Sequence, residues 1–264
     1  GEAVAMNLSA FKYGRRAAID PAAVQSLVTP KPQEENDSLK LSQSFDEMVE
    51  RRVAFLTAYQ SRRYARRYRR LVDKIRAAEA EKAPGQSALA EAVARYLFKL
   101  MAYKDEYEVA RLYTDTNFLE RVKSQFDGDN LRFEFHLAPP LLAKPDPRTG
   151  EPKKKSYGPG MLKAFAVLAK FKFLRGTLLD PFGYSQDRRT ERKLIADFEA
   201  LLKTIMAELT AYNHQTAVAL ASVPEKIRGY GPVKQRHLVA AKAEEASLRE
   251  QFRAGTTPFL KAAE

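Results

Sequence analysis

The residues of this chain best suited to proton or ion chemistry lie beside helix breaks. Tyr103, Lys104, Asp105 and Arg111 fall in KLMAYKDEYEVARL, His136 sits in an alternating stretch, and Arg175 and Asp180 flank a turn in LRGTLLDPFG. A phenol, an ammonium, a carboxylate and an imidazole facing one cleft could move a proton or grip an anionic substrate. Polar groups next to helix ends reach a cleft more readily than those on a continuous flank. The same residues could instead form buried ion pairs that hold the helix ends together.

Other groups offer less. Only three histidines are present, His136, His214 and His237, and no two of them show metal-ligand spacing, so no metal is assigned. The chain has no cysteine, which excludes disulfides, thiolate zinc sites, iron–sulfur ligation and a cysteine nucleophile. Phe126-Asp127-Gly128-Asp129-Asn130 is superficially similar to the Gly-Asp-Gly signature that holds magnesium in thiamine diphosphate enzymes, but the order is Asp-Gly-Asp and a turn is the better reading. Arg228 and Lys234, around Gly229 and Gly231, could add charge to backbone amides and contact an anion. Lys153, Lys154 and Lys155 read as a solvated hairpin rim that could also meet a phosphate. No nucleotide fingerprint, P-loop or nucleophile elbow occurs.

Charge points to partners. In 264 residues, 45 Lys and Arg against 33 Asp and Glu leave +12, which favours an anionic partner of some kind. Arg62, Arg63, Arg66, Arg67 and Arg70 form the densest basic cluster and are the candidate partner-binding residues, with Arg69 among them and Tyr59, Tyr64 and Tyr68 interleaved. Nucleic acid is disfavoured, because the tyrosines share a stripe with Leu71 and Ile75 that faces inward.

These side chains act only if the backbone holds them, and apolar spacing predicts helices along most of the chain. Val4, Leu8 and Phe11 mark a first helix up to Asp20-Pro21, and its abrupt opening at Gly1 predicts a piece of a longer protein. LVTPKPQEENDSLK, residues 27–40, reads as linker. A long helix is expected from Ser44, with Glu47 completing a capping box, through Phe45, Val49, Leu56, Tyr64, Tyr68, Leu71 and Ile75 as far as Pro84-Gly85. Leu89, Val93, Tyr96, Leu97, Leu100 and Met101 mark another, and Phe118 and Val122 a short one.

The period then changes to two: Leu131, Phe133, Phe135 and Leu137 alternate with Arg132, Glu134 and His136, and a return strand is expected near residues 153–157. Further helices follow Pro159 up to Gly176, start near Asp187, surround Val218, and run from Pro232 towards Gly255. The expected fold is mainly α, seven or so helices with one small β-hairpin, α+β by strict count. Residues 1–26 form the terminal helix of a preceding domain, 27–43 a linker and 44–264 a helical domain. No apolar run approaches the ~20 residues of a membrane-spanning helix.

Several strings carry a family resemblance: Leu89 to Thr114 (LAEAVARYLFKLMAYKDEYEVARLYT), Phe135 to Pro140 (FHLAPP), Leu174 to Thr177 with Asp180 to Gly183, and PEKIRGYG from Pro224. Together they resemble the C-terminal region of the fused, single-chain indolepyruvate ferredoxin oxidoreductases, members of the 2-oxoacid:ferredoxin oxidoreductase family. The opening, AVAMNLSAFKYGRRAAIDPAAV, resembles the end of the preceding gamma-like domain of the same polypeptides. The resemblance covers nearly the whole chain.

It implies an enzyme that oxidatively decarboxylates arylpyruvates on thiamine diphosphate with magnesium, sends electrons through iron–sulfur clusters to ferredoxin, and passes the acyl group to coenzyme A. It implies that none of these cofactors is bound by this chain alone, and no catalytic residue of the family carries over onto it. The implied partners are the remaining domains, ferredoxin and further copies of the full enzyme, in the cytoplasm. The segment itself is expected to be structural, with one wall of a substrate, coenzyme A or ferredoxin site as its nearest approach to the chemistry. The alternative is a stand-alone basic helical module that binds nucleic acid or an acidic protein.

Overall fold

Side-chain caps set many of the helix boundaries in the computed structural model, which describes residues 2–28, 41–125, 133–137, 155–229 and 231–255. The chain divides into two units, Gly1–Gln43 and Ser44–Glu264. In the first, α1 (Glu2–Ile19) is followed by α2 (Pro21–Val28), which extends into the expected linker. Pro21 opens α2 at a position where a helix needs no N–H, and Asp20 accepts a hydrogen bond from the Ala23 amide at 3.0 Å. Val4, Leu8 and Phe11 do share helical spacing, yet all three are exposed. Pro30 and Pro32 lie outside the described residues.

The second unit contains α3 (Phe45–Tyr59), α4 (Arg62–Lys82), α5 (Ala88–Met101), α6 (Glu106–Thr114), α7 (Phe118–Lys123), α8 (Met161–Lys170), α9 (Gln186–Glu208), α10 (His214–Ser222) and α11 (Gly231–Ala254). Strands β1 (Phe135–Leu137) and β2 (Lys155–Tyr157) pair antiparallel, with His136 opposite Ser156. The protein is therefore mainly α with one small hairpin, and its helices, eleven among the described residues, outnumber the seven or so expected. One excess comes from the long helix expected after Ser44. It breaks at Gln60-Ser61, where the Ser61 hydroxyl accepts the Tyr64 amide at 3.2 Å and starts α4 afresh. The stretch after Pro159 also divides, α8 giving way to a 3-10 turn at Phe171–Leu174. The start of the expected strand, Leu131 and Arg132, lies outside the described residues.

Two apolar clusters result. The larger joins α3, α4, α5, α9, α10 and α11 through residues such as Leu56, Ile75, Leu97, Leu202, Leu220 and Phe252. The smaller packs β1 against α6 and α8: the Tyr113 ring stacks on Phe165 at 5.2 Å, and Phe135 meets both edge-on. Three buried or half-buried tyrosines fix α3 and α4 against α5. Tyr59, Tyr64 and Tyr68 donate to the carbonyls of Tyr103, Met101 and Ala94 at 2.8, 2.9 and 2.9 Å.

The N-terminus of α5 is closed from another helix. Ser87 makes no side-chain cap. Instead the Glu79 carboxylate of α4 accepts the amides of Leu89 and Ala90, both at 2.8 Å, and His214 Nε2 of α10 lies 2.6 Å from Glu79 Oε1. Glu79 and His214 are both buried. One carboxylate thus satisfies two orphan amides, meets the positive end of the α5 dipole and ties three helices.

Truncating Glu79 strands those donors out of water. Glu79→Ala is expected to destabilise the protein by about 3–5 kcal/mol, with Glu79→Gln costing less because one acceptor oxygen survives. Urea denaturation midpoints of the two variants check this, and equal midpoints for Glu79→Ala and the parent would show that the tie is dispensable.

Candidate functional site

Most of the residues with chemical promise converge on one corner, where α3 ends, α6 begins and the turn after the 3-10 segment packs against both. Asp105 caps α6 by accepting the Glu108 amide at 2.8 Å. The same carboxylate takes two bonds from Arg175, Nε to Oδ2 at 2.5 Å and Nη2 to Oδ1 at 2.8 Å. Arg175 Nη1 donates to the Tyr59 carbonyl at 2.5 Å, and its guanidinium lies 3.6 Å from the Tyr59 ring centroid. Both charged side chains are buried. Such a pair holds geometry because each nitrogen of the planar fork has a fixed acceptor and its face lies on an aromatic ring.

Asp180 organises the adjacent turn. Its Oδ2 accepts the Gly176 amide at 2.8 Å, while Oδ1 accepts the Phe182 amide and the Tyr107 hydroxyl, each at 3.1 Å. Gly176 has φ +73, and a Cβ on Gly183 would sit 2.9 Å from Asp180 Oδ2, so both glycines follow from the tightness of the turn. Arg188 of α9 pairs with Glu106 of α6 at 3.2 Å. Arg111 binds Glu108 within α6 through two bonds at 2.7 and 2.8 Å and covers the Phe55 ring.

The electrostatics oppose acid–base work near neutral pH. Burial pushes the Tyr103 hydroxyl up to about 12. Burial likewise raises Tyr59 and Tyr107. For Arg175, burial disfavours the cation, but the Asp105 bonds and charge together with Tyr59 and Tyr103 outweigh it and the net shift is upward. The tyrosines remain hydrogen-bond donors and Arg175 remains charged, which suits a clamp.

The other expected sites do not join this corner. Lys104 is exposed, and His136 is exposed on the hairpin opposite Ser156. Arg228 pairs with Glu225 at 3.2 Å and Lys234 pairs with Glu191, so neither offers an unpaired cation to an anion. Beside them, burial and the charge of Arg228 lower the Lys99 ammonium, which donates to the carbonyls of Pro224 and Glu225 at 2.8 and 2.9 Å. His237 Nδ1 lies 2.8 Å from the Arg228 carbonyl. Asp127, Gly128, Asp129, Asn130, Lys153 and Lys154 lie outside the described residues. Among those described, no three His, Cys, Asp or Glu side chains gather as a metal site.

The basic helix separates into two sets. Arg67 bonds Glu199 of α9 at 2.6 Å, Arg69 pairs with Glu50 of α3, and Arg76 reaches Asp46 at 2.7 Å. Arg67 is therefore a strut between helices, unlike the free partner-binding charge that its place in the cluster suggests. Arg62, Arg63, Arg66 and Arg70 are exposed and make no ion pair among the described residues. A cavity of about 20 Å³ under Leu100, Phe198, Leu201 and Leu220 has room for roughly one water, far less than a cofactor needs.

A family model matches residues 45–247, from the first residue of α3 into α11. The chain belongs to DUF6537, a family of unknown function. No curated protein and no solved structure matches it. The DUF6537 segment contains the Glu79–His214 tie, the Asp105–Arg175 clamp and the arginine face of α4. Glu79 and His214 escape a search for motifs, being 135 residues apart. Their signal is phase: Glu79 follows Tyr68, Val72 and Ile75 on the buried stripe of α4, where a lone carboxylate must have a partner.

Two measurements test the corner. Asp105→Ala leaves Arg175 buried without its carboxylate and is expected to cost about 3–5 kcal/mol, more than the double variant with Arg175→Met, as read from chemical denaturation. Alkali should weaken the fold in a defined window. Tyr68 and Tyr103 have folded values near 12 against 10.0 for the free group, so their contribution is complete below pH 10 and declines as pH rises towards 12. Thermal unfolding followed across that range should show a falling midpoint, smaller in Tyr103→Phe.

Proposed function

We propose that this chain is the helical assembly segment of a 2-oxoacid:ferredoxin oxidoreductase that acts on arylpyruvates such as indolepyruvate. The observation that carries the reading is how the strings bearing the resemblance meet one another. Arg175 of the LRGT string grips Asp105 of the AYKDEYE string, and Asp180 of the DPFG string binds Tyr107. Glu225 of the PEKIRG string accepts from Tyr96 at 2.8 Å and lends its carbonyl to Lys99, both within Leu89 to Thr114. Residues this distant in sequence occur together because polar groups of one string are met by polar groups of another. Their task in the segment is architectural, and the chemistry belongs to other domains.

The residues present do not fit the oxidoreductase's clusters, which need thiolates that a chain without cysteine lacks. Coenzyme A would need a cleft with open cations, whereas Arg228 and Lys234 are engaged by carboxylates. No reaction step is routed through this segment. It would act by holding its partner domains in place, and the isolated chain would not turn over substrate.

The test is reconstitution. The tagged chain, produced together with the thiamine- and cluster-binding polypeptide of the same source, is expected to capture it as a brown complex. That complex should reduce ferredoxin with indolepyruvate. A colourless 29.8 kDa species that leaves the cluster-bearing polypeptide in the flow-through would overturn the assignment.

A further inference from the structure

The outward face of α4 differs from those of α9 and α11. There cations stand three or four residues from acids: Lys193 with Asp197 on α9, Lys242 and Arg249 with Glu245 on α11. On α4, Arg62, Arg66 and Arg70 follow one another at four-residue intervals, Lys74 continues the series and Arg63 lies beside it. This face is opposite the buried Tyr68, Val72, Ile75 and Glu79, and from Arg62 to Lys74 it is about 18 Å long at 1.5 Å per residue. Like charges at this spacing repel; the nearby acids Asp46, Glu50 and Glu199 are taken by Arg76, Arg69 and Arg67, and Asp73, three residues after Arg70, is the acid that α4 itself places on this face.

An apolar knob stands at the N-terminal end of the stripe. Leu178 and Leu179 are 87% and 76% exposed, with Phe171 and Phe173 also open to solvent. The turn that carries the leucines is braced by Asp180, and the Tyr184 hydroxyl donates to the Leu178 carbonyl at 2.5 Å. The segment is anchored beside α4: Lys172 Nζ donates to the Ala58 carbonyl at 2.6 Å, Arg175 to that of Tyr59 at 2.5 Å, and Gln60 Nε2 to that of Arg175 at 3.4 Å. Ala58 to Gln60 lead directly into Arg62. Knob and stripe therefore share one corner, and both are exposed among the described residues.

We propose that this corner is a docking surface for an acidic protein, whose carboxylates lie along α4 and whose apolar socket receives Leu178 and Leu179. The proposal rests on the assembly reading for its biological setting and adds to it the surface and the chemistry of the partner. Rigid apolar side chains beside arginines have the composition of a protein interface centre with a charged flank. Charge complementarity identifies the partner's sign, and four arginines that form no ion pair among the described residues call for a row of acids. Nucleic acid fits less well: Tyr59, Tyr64 and Tyr68 turn their hydroxyls to backbone carbonyls inside the bundle and leave no ring on the stripe for a base.

The experiment uses the full chain with defined probes: a glutamate–tyrosine copolymer, polyglutamate, single-stranded and duplex oligonucleotides, and vesicles of phosphatidylserine and phosphatidylcholine. The copolymer is expected to bind about tenfold more tightly than polyglutamate, with a steep dependence on salt. Arg66→Glu with Arg70→Glu should weaken it about tenfold or more, and Leu178→Ser with Leu179→Ser should reduce it to the polyglutamate level. All four side chains are exposed, so both variants should unfold at the parent temperature. Unchanged copolymer binding in either variant pair, or tighter binding of oligonucleotides or vesicles, overturns the proposal. In the reconstitution, full capture by both variant pairs overturns the docking surface and leaves the assembly reading intact. Failure of the parent to join the oxidoreductase, with probe binding as expected, has the reverse meaning.

Discussion

A charged group removed from water must have every lone pair or proton met, and this requirement governs the protein more than any apolar contact. Glu79 shows it most clearly. Its carboxylate ends α5 by accepting two amides and draws in the imidazole of α10. Leucine at that position would pack as well but would leave the first turn of α5 without acceptors. The helix can start where it does because a side chain from its neighbour closes it.

The Asp105–Arg175 clamp applies the same rule between the two apolar clusters. The large cluster contains Tyr59 and Tyr103, whereas the small one depends on α6, α8 and the hairpin. Asp105 begins α6, and Arg175 follows the 3-10 turn after α8, so their bond closes the two ends of the small cluster on each other, and the contact of Arg175 with the carbonyl and ring of Tyr59 fastens them to the large one. Greasy surfaces alone would permit several dockings of the two clusters. A planar fork on a carboxylate permits one. A buried pair of this type adds little to net stability over an apolar replacement, and its value here is orientation.

Much of this was open to reading in the sequence. The 3.6-residue spacing located the helical stretches, the switch to alternation located the hairpin, and of the polar residues expected beside a cleft the fold draws Tyr103, Asp105, Arg175 and Asp180 to one corner but leaves Lys104 and His136 outside it. The break at Gln60-Ser61 was hidden because the apolar stripe resumes in phase after it and neither glycine nor proline marks the place. The roles of Glu79, His214 and Glu199 were hidden for a different reason. Each depends on a partner more than a hundred residues away, and local spacing carries no information about which carboxylate will meet which cation. Thus the division of the arginines on α4 into struts and free charges could not be read before the neighbouring helices were in view.

The tyrosine hydroxyls on α5 have one more effect. Apolar ridges repeat with the helix, so α3 and α4 could in principle slide along α5 by a turn of about 5.4 Å and find similar packing. Hydroxyls at Tyr59, Tyr64 and Tyr68 meet carbonyls at three fixed heights: Ala94 within α5, Met101 at its last residue and Tyr103 just beyond it. They work as the notches of a ruler. A bundle graduated in this way keeps its axial alignment when a load is applied along the helices.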